Sequence, residues 1–425
     1  MAETSGDWPI RTDKPNPFTP PLSSRDLIST LPDTVIHHIF SFLPLQDVVK
    51  TSVLSKRWRP TWTTATDLVF DGEIVARPCG TLDFSFIVDS VLIQCTSPTV
   101  KRFHITNFEY NEAHRLKFNL WLRFAEGHRV EELGLRLLPN TELPMFYILP
   151  RFLYCWSWLV RLEVWVCCFS LVRTIRWPCL KVLSILYSNL SDDILEEIFR
   201  GCPVLESLEL WGCWDVKNIM IELTSVKELI LEGLAFSNIQ KIWAPHLLSL
   251  RMSGIWGPHT VFRLDDVSSL VEAKLKFSIL PCDEKMHSSM LKEHFEKLRE
   301  VTTMTIGVWC LQLELDEESK ECFNYDGEDF LRSRKNFQCL AKHLKRVEIT
   351  TDIHGLERLL PLIKFLLGET LSLEKMIIKA DLGMEHGQEH LQAVDLSKLL
   401  GVSQNMLSYR RASKNAEVIF SHSFK

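Results

Sequence analysis

One short apolar pattern recurs along most of the chain and restricts the folds that it can adopt. The pattern is apolar-x-x-apolar-x-apolar, and eight successive copies have their middle positions at Phe103, Leu133, Leu162, Leu183, Leu208, Leu229, Leu250 and Ala273. These positions are 30, 29, 21, 25, 21, 21 and 23 residues apart. A unit this short cannot bury its own apolar face, so the units must stack on one another to share a core.

The spacing is that of leucine-rich repeats, slightly stretched in the first copies. After Leu210, the cysteine of Trp-Gly-Cys213 stands where the repeat consensus has Asn or Cys. The sequence therefore favours an α/β fold: an irregular leucine-rich-repeat solenoid with parallel strands on its concave face. The alternative is an ordinary α/β domain with regular helices between the strands, although few segments other than Ser191 to Phe199 are convincingly helical.

Side chains that flank the middle residue of each copy should point away from the core, because neighbouring positions of a strand face opposite ways. We call this predicted concave surface the strip. Its candidate residues for binding another molecule are Ser207, Glu209, Trp211, Glu228, Ile230, Glu232, Arg251 and Lys274. The strip should have an acidic middle and a basic far end, with Trp211 as a candidate hot spot. Alternatively, Trp211 packs on the side chains of the next repeat.

A different pattern precedes the repeats. Pro32 and Asp33 introduce apolar residues at helical spacing, which predicts a helix of about three turns ended by Pro44. A second helical pattern begins at Leu45 and runs towards Trp58. The apolar residues are too many for the interior of so small a module. They form either a hairpin packed on the rest of the chain or a surface for a partner.

The segment from Asp26 to Arg59 closely resembles the F-box of plant F-box/leucine-rich-repeat proteins. The resemblance rests on Leu31-Pro32, Ile36, Ile39, Phe42-Leu43-Pro44, Val48, Thr51 to Ser55 and Lys56-Arg57-Trp58. In that family, the segment binds the Skp-type adaptor of the SCF (Skp–cullin–F-box) ubiquitin ligase. The adaptor-binding residues implied by the resemblance are Leu31, Pro32, Ile36, Ile39, Leu43, Pro44, Leu45, Val48, Val53, Leu54 and Trp58.

Two further copies of the pattern, at residues 344–349 and 373–378, bracket a predicted helix around Leu356 to Leu367. This strand–helix–strand arrangement resembles the FBD domain of plant F-box/repeat proteins, as does the ending from Met406 to Phe420. It would cap the last repeat. The expected organisation is a flexible proline-rich tail (1–22), an F-box (23–66), a repeat array (67–335) and an FBD-like domain (336–425). Residues 316–321 look like an exposed insertion.

Composition and short motifs exclude several classes of function. A net charge of −6 gives no general reason to bind nucleic acid, and twelve scattered cysteines without a CxxC motif indicate neither a zinc ribbon nor a redox site. No apolar run suggests a signal peptide or a membrane span. His386 to His390 fits H-x-x-E-H, but Gly383 and Gly387 argue for a loop rather than a metal site. We expect no cofactor, no metal, no membrane association and a cytoplasmic or nuclear location.

No catalytic constellation is evident. The resemblance implies a non-catalytic substrate-recognition subunit whose F-box binds the Skp-type adaptor and, through it, cullin. The repeats would bind an unknown protein that is targeted for ubiquitination and degradation. The alternative is an adaptor-binding scaffold that acts outside ubiquitination.

Overall fold

A computed structural model of the protein describes residues 30–54, 56–73, 84–138, 145–170, 174–233, 239–256, 262–279, 293–294, 296–307, 342–381 and 393–423. The chain forms two compact units, Met1–Ala65 and Thr66–Lys425. The predicted tail, the insertion at 316–321 and the boundary between 335 and 336 lie outside the described residues. Those three assignments therefore stay predictions.

The first unit consists of short helices: α1 (Asp33–Phe40), α2 (Leu45–Lys50) and α3 (Trp58–Thr61), with 3-10 turns at Thr51–Val53 and Trp62–Thr64. Pro32 and Pro44 are the N-cap residues of α1 and α2. Helix α1 ends at Phe40, so the prediction of a helix reaching Pro44 was wrong. The residue before a proline disfavours helical backbone, and the chain leaves the helix through tight turns in which the amides of Phe42 and Leu43 bond to Ile39 and Phe40.

The second unit is built on one sheet of thirteen strands, which are all parallel and follow chain order. The strands are β1 (Asp67–Asp71), β2 (Arg102–Glu109), β3 (Glu132–Leu138), β4 (Arg161–Trp165), β5 (Val182–Leu186), β6 (Ser207–Trp211), β7 (Glu228–Glu232), β8 (Ser249–Trp256), β9 (Glu272–Ile279), β10 (Thr303–Ile306), β11 (Arg346–Asp352), β12 (Lys375–Asp381) and β13 (Glu417–Ser423). Every copy of the pattern predicted from the sequence is a strand, which confirms the fold class.

The middle residues of the pattern form the core of the sheet. Leu183, Leu208 and Leu229 stand opposite one another in register and are fully buried. Each such leucine gains on the order of 1.5–3 kcal/mol from leaving water. Because the row continues through all the repeats, no single repeat can be removed without exposing the apolar faces of its neighbours.

The return segments between the strands are irregular. In the described part of these segments, the longer helices are α4 (Phe84–Gln94), α5 (Arg115–Gly127), α6 (Asp192–Gly201), α7 (Ile353–Glu369) and α8 (Ala393–Leu407). Three other return segments contain the short strands 218–220, 241–243 and 263–264, which pair in a small parallel sheet of their own. Within the described residues, these three return segments therefore have short strands where an ordinary α/β domain would have regular helices.

The helices explain two features of the sequence. Helix α5 lies between β2 and β3 and accounts for the first stretched spacing, the 30 residues from Phe103 to Leu133. The predicted helix after Ser191 is confirmed: the Ser191 hydroxyl caps α6 by accepting a hydrogen bond from the Ile194 amide. The predicted strand–helix–strand near the C-terminus is β11, α7 and β12.

Four successive strands of the large sheet end in a left-handed turn. Val166, Tyr187, Gly212 and Gly233 have φ of +57°, +46°, +58° and +62°. The amides of the first three bond to the last strand residue of the next repeat, at 2.7–3.0 Å. These turns fix the side chains that precede them, Trp165, Leu186, Trp211 and Glu232, in one row across the sheet.

Candidate protein-interaction sites

The first candidate site is an apolar surface on the helical unit. Phe42, Val53 and Leu54 are 74%, 83% and 59% exposed, and Val35 and Leu43 are also exposed. Pro32 and Pro44 are exposed beside α1 and α2. Side chains this exposed add little to the packing of so small a unit, although the Phe42 ring meets His38 edge-on with 4.9 Å between the ring centroids. Such surfaces mark contacts with other proteins.

The adaptor-binding residues predicted from the sequence divide into three groups by their exposure. Leu43, Val53, Leu54 and the two prolines lie on the surface, and Leu31 and Ile39 are half-buried. Ile36, Leu45, Val48 and Trp58 are buried, so their contribution is to hold the helices in place rather than to form the exposed surface. The Trp58 ring packs edge-on against Phe40, with 5.8 Å between the ring centroids. The helical spacing of these apolar residues predicted the helices, but it could not show which side chains face outward.

A salt bridge joins the start of α1 to the residue that precedes α3. Arg57 Nη2 donates to Asp33 Oδ1 at 2.6 Å, which links the residue before α3 to the first residue of α1. Both side chains are well exposed, so the pair adds little stability.

The second candidate site is the strip on the large sheet, and the register brings its predicted residues together. Glu209, Ile230, Arg251 and Lys274 stand side by side on consecutive strands. In the neighbouring rows, Ser207 lies opposite Glu228, and Trp211 opposite Glu232. Ile230 is 9% exposed, so it supports the strip but offers little surface to a partner.

Several charges of the strip are satisfied within the chain. Ser207 donates to Glu228 at 2.9 Å, and Arg251 lies 3.6 Å from another oxygen of Glu228. Lys274 lies 2.8 Å from Glu272. Burial acts to raise the pKa of Glu272, but the hydrogen bond and charge of Lys274, with Ser249 and Arg251, lower it overall. Beyond Lys274, Lys276 and Lys379 both approach Glu348, so the lysines of the basic far end are also paired.

Trp211 packs against aromatic side chains of the preceding repeats. Its ring centroid is 6.2 Å from that of Trp165 and 5.9 Å from that of Tyr187, and it lies over the backbone of Gly233 in the next repeat. The side chain nevertheless stays half-exposed. Trp211 is therefore positioned by its neighbours and still accessible. The rings that it contacts belong to preceding repeats rather than to the next one, and its role as a hot spot stays a prediction.

A cluster beside the strip was not predicted. The Arg136 guanidinium donates to both Glu163 oxygens, from Nε at 2.6 Å and from Nη2 at 3.0 Å, and lies over the Trp165 ring at 5.5 Å. Trp165 Nε1 donates to Glu163 at 2.9 Å. The sequence signal was a Glu-x-Trp that occurs in two repeats, at Glu163 and again at Glu209.

The described residues contain neither a metal-binding cluster nor a membrane-spanning helix. No cluster of three or more His, Cys, Asp or Glu side chains there could hold a metal ion, and none of the helices there is both long and apolar enough to cross a membrane. His386 and His390 lie outside these residues. The sequence-based judgement of their H-x-x-E-H motif therefore stays a prediction.

A stack of short repeats that each add one parallel strand to a continuous sheet defines a leucine-rich-repeat protein. Comparison with known families agrees with this class: residues 28–66 match the F-box domain, and residues 118–322 match the family described as FBD-associated F-box protein At5g56370, LRR repeats. In Arabidopsis thaliana, F-box/LRR-repeat protein 25 is 32% identical over 240 residues, which cover 54% of this chain and 86% of that protein. The chain belongs to the F-box/LRR-repeat family, and the resemblance seen in the sequence is confirmed.

Longer members of the family are also similar. The A. thaliana F-box/LRR-repeat protein At3g03360 is 31% identical over 308 residues, which cover 68% of this chain and 60% of that protein. F-box/LRR-repeat protein At5g02910 is 32% identical over 303 residues, 69% of this chain and 62% of that protein. The chain thus spans less than two thirds of the length of these relatives.

Proposed function

We propose that the protein is the non-catalytic substrate-recognition subunit of an SCF ubiquitin ligase. Its F-box binds a Skp-type adaptor and, through it, cullin, and its repeats bind the protein to be ubiquitinated. The observation that carries this proposal is the exposed apolar surface of Phe42, Leu43, Val53 and Leu54 in the segment that matches the F-box domain. We also propose a cytoplasmic or nuclear location.

The physics of that surface suits stable binding. The prolines before α1 and α2 restrict the backbone, so the apolar side chains are presented with little entropy left to lose. Interfaces of about 800 Å² per partner, centred on a few buried apolar residues, are enough for a stable complex. Phe42, Val53 and Leu54 are the side chains that would bury the most area on adaptor binding.

The repeats have a different role in the proposal. Their solvent-facing strip carries polar and aromatic side chains on a rigid sheet, which is an arrangement for recognising a partner. Ubiquitin transfer then depends on position: the bound target is held close to a conjugating enzyme carried elsewhere in the complex.

Co-purification with a Skp-type adaptor tests the first half of the proposal. The Phe42→Ala/Leu54→Ala variant should lose the adaptor, because truncation of a hot-spot pair costs about 2 kcal/mol or more. The Leu116→Ala/Leu120→Ala variant is the matched control, since these leucines of α5 are 73% and 67% exposed and lie in the other unit. Adaptor binding that is absent from the wild type, or equal in both variants, would contradict the proposal.

The scaffold alternative makes a different prediction. A ligase subunit should bring cullin into the adaptor complex and shorten the half-life of a bound protein, whereas a scaffold should bind the adaptor without either effect. The Phe42→Ala/Leu54→Ala variant is again the comparison. Cullin recruitment that survives loss of the adaptor would show that the F-box does not act as proposed.

A further inference from the structure

Two strands of the large sheet present the same pair of side chains to solvent. Strand β4 carries Glu163 and Trp165, and β6 carries Glu209 and Trp211, in each case as Glu-x-Trp at the end of the strand. The register confirms the equivalence: both glutamates stand beside Ser184 of β5, and both tryptophans beside Leu186. The chain therefore contains two copies of one arrangement, separated by a single strand.

In the first copy, the glutamate and the tryptophan contact a cationic side chain of the protein itself. In the row of Trp165, the preceding strand β3 supplies Arg136. Its guanidinium binds both oxygens of Glu163 and lies over the Trp165 ring. A planar guanidinium suits this arrangement because it can form two parallel hydrogen bonds with a carboxylate while it stacks on an aromatic face.

The second copy has no such cation within the described part of the chain. In the row of Trp211, the preceding strand supplies Leu186, which is 2% exposed and apolar. Glu209 accepts a hydrogen bond from the Ser184 hydroxyl at 2.7 Å, but no lysine or arginine of the described residues pairs with it. The nearby Arg251 is 3.6 Å from Glu228.

The surroundings of the second copy add negative charge and aromatic surface. Glu232 of β7 lies directly opposite Trp211, on the side away from Leu186, and likewise has no ion pair among the described residues. Tyr187, which is 44% exposed, lies against the Trp211 ring. An aromatic face flanked by two unpaired carboxylates attracts cations through both its quadrupole and its charge.

We propose that an arginine side chain of the target protein binds at Trp211, with its guanidinium on Glu209 and Glu232, as Arg136 binds at Trp165 and Glu163. The inference rests on the proposed function, since it specifies the chemistry of the protein that the repeats would recognise. The expected ligand is an arginine of a bound polypeptide, because Glu163 and Trp165 show how this pair of side chains accommodates a guanidinium.

A peptide selection tests the inference. The full chain is immobilised without an adaptor and used to select from a random peptide library displayed on phage. Individual selected peptides are then synthesised with arginine or with citrulline, which has a similar shape but no charge, and their affinities are measured by fluorescence anisotropy. The same peptides are titrated against Glu209→Gln/Glu232→Gln and Trp211→Leu variants.

Matched controls are available on the same chain. Glu206→Gln/Glu222→Gln removes two exposed carboxylates that lie outside the strip, and Trp243→Leu removes a half-buried tryptophan of the small parallel sheet. Thermal unfolding of each variant shows whether the fold is intact. Adaptor binding is measured in parallel, so that a failure of the F-box proposal is distinguished from a failure of this one.

We expect arginine to be enriched in the selected peptides. Replacement by citrulline, and each of the two strip variants, should weaken binding at least tenfold, whereas the controls should leave it within twofold of the wild type. Enrichment of lysine alone or of no basic residue would overturn the proposal, as would unchanged affinity in the folded strip variants. None of these outcomes depends on whether the adaptor binds.

Discussion

The indole of Trp211 lies over the backbone of Gly233, so closely that a β-carbon built at 233 would stand 2.4 Å from Cδ1 of the ring. Gly233 also has a φ of +62°, which L side chains rarely adopt. We therefore expect Gly233→Ala to lower the free energy of unfolding by about 1–3 kcal/mol, through strain and displacement of the ring. Chemical denaturation followed by tryptophan fluorescence measures this change.

Gly127→Ala is the matched control for that variant. Gly127 is the last residue of α5, and a β-carbon there would meet nothing within 4 Å. Alanine should be tolerated and could stabilise the helix by up to about 1 kcal/mol. If the two variants had equal stability, the close packing of Trp211 on Gly233 would not be a constraint on the fold.

In the helical unit, a buried and an exposed side chain should have different effects: the first on folding stability, the second on adaptor binding. Trp58 is 3% exposed and packs on Phe40, so Trp58→Ala should destabilise this unit by about 3–5 kcal/mol. Val53 is 83% exposed, and Val53→Ala should leave stability within about 0.5 kcal/mol of the wild type while weakening adaptor binding. Hydrogen exchange of the helical amides and adaptor pull-down measure the two effects. Loss of helix protection in Val53→Ala would contradict this division.

Stability should fall in mild acid because of His104. Burial lowers the pKa of this side chain from 6.5 to about 4, and its Nε2 is buried without a hydrogen-bond partner among the described residues. Between these values, the unfolded chain binds a proton that the folded chain does not, so stability is complete above pH 6.5 and is lost as the pH falls towards 4.

Denaturation of the wild type at a series of pH values measures that loss, which should reach roughly 2–3 kcal/mol for His104. His104→Gln should show a flatter profile over the same range. His294 contributes in the same direction, since burial lowers its pKa to about 4 as well. A profile unchanged by His104→Gln would show that His104 titrates alike in the folded and unfolded chain.

The cysteines should differ sharply in reactivity. Cys155 and Cys179 are exposed, whereas burial raises the pKa of Cys202 and of Cys213 to about 12 and also raises that of the buried Cys167. Because the thiolate is the reactive form, iodoacetamide should label Cys155 and Cys179 in the folded protein and leave the other three unlabelled until denaturant is added. Peptide mass spectrometry after alkylation tests this, and early labelling of Cys213 would contradict its burial.

Much of the fold could be predicted because the repeats obey one local rule. Strands β2 to β9, β11 and β12 all carry the apolar-x-x-apolar-x-apolar spacing. Strands β1 and β10 have the same spacing, as Ala65-x-x-Leu68-x-Phe70 and Val301-x-x-Met304-x-Ile306, but were not predicted. Helices α4 and α5 were not predicted either, although the 30-residue early spacing left room for α5.

The sequence by itself determined the repeating strand, its period and the side of each strand that faces the core, because these follow from residues a few positions apart. It could not decide which apolar residues of the F-box segment face outward or that Ile230 is buried. Nor could it decide that Glu163 is paired with an arginine 27 residues away, while Glu209 has no such partner among the described residues. Those properties depend on the register between strands and on the packing of neighbouring repeats. Charge pairing and burial act through space, and only the tertiary structure brings the partners together.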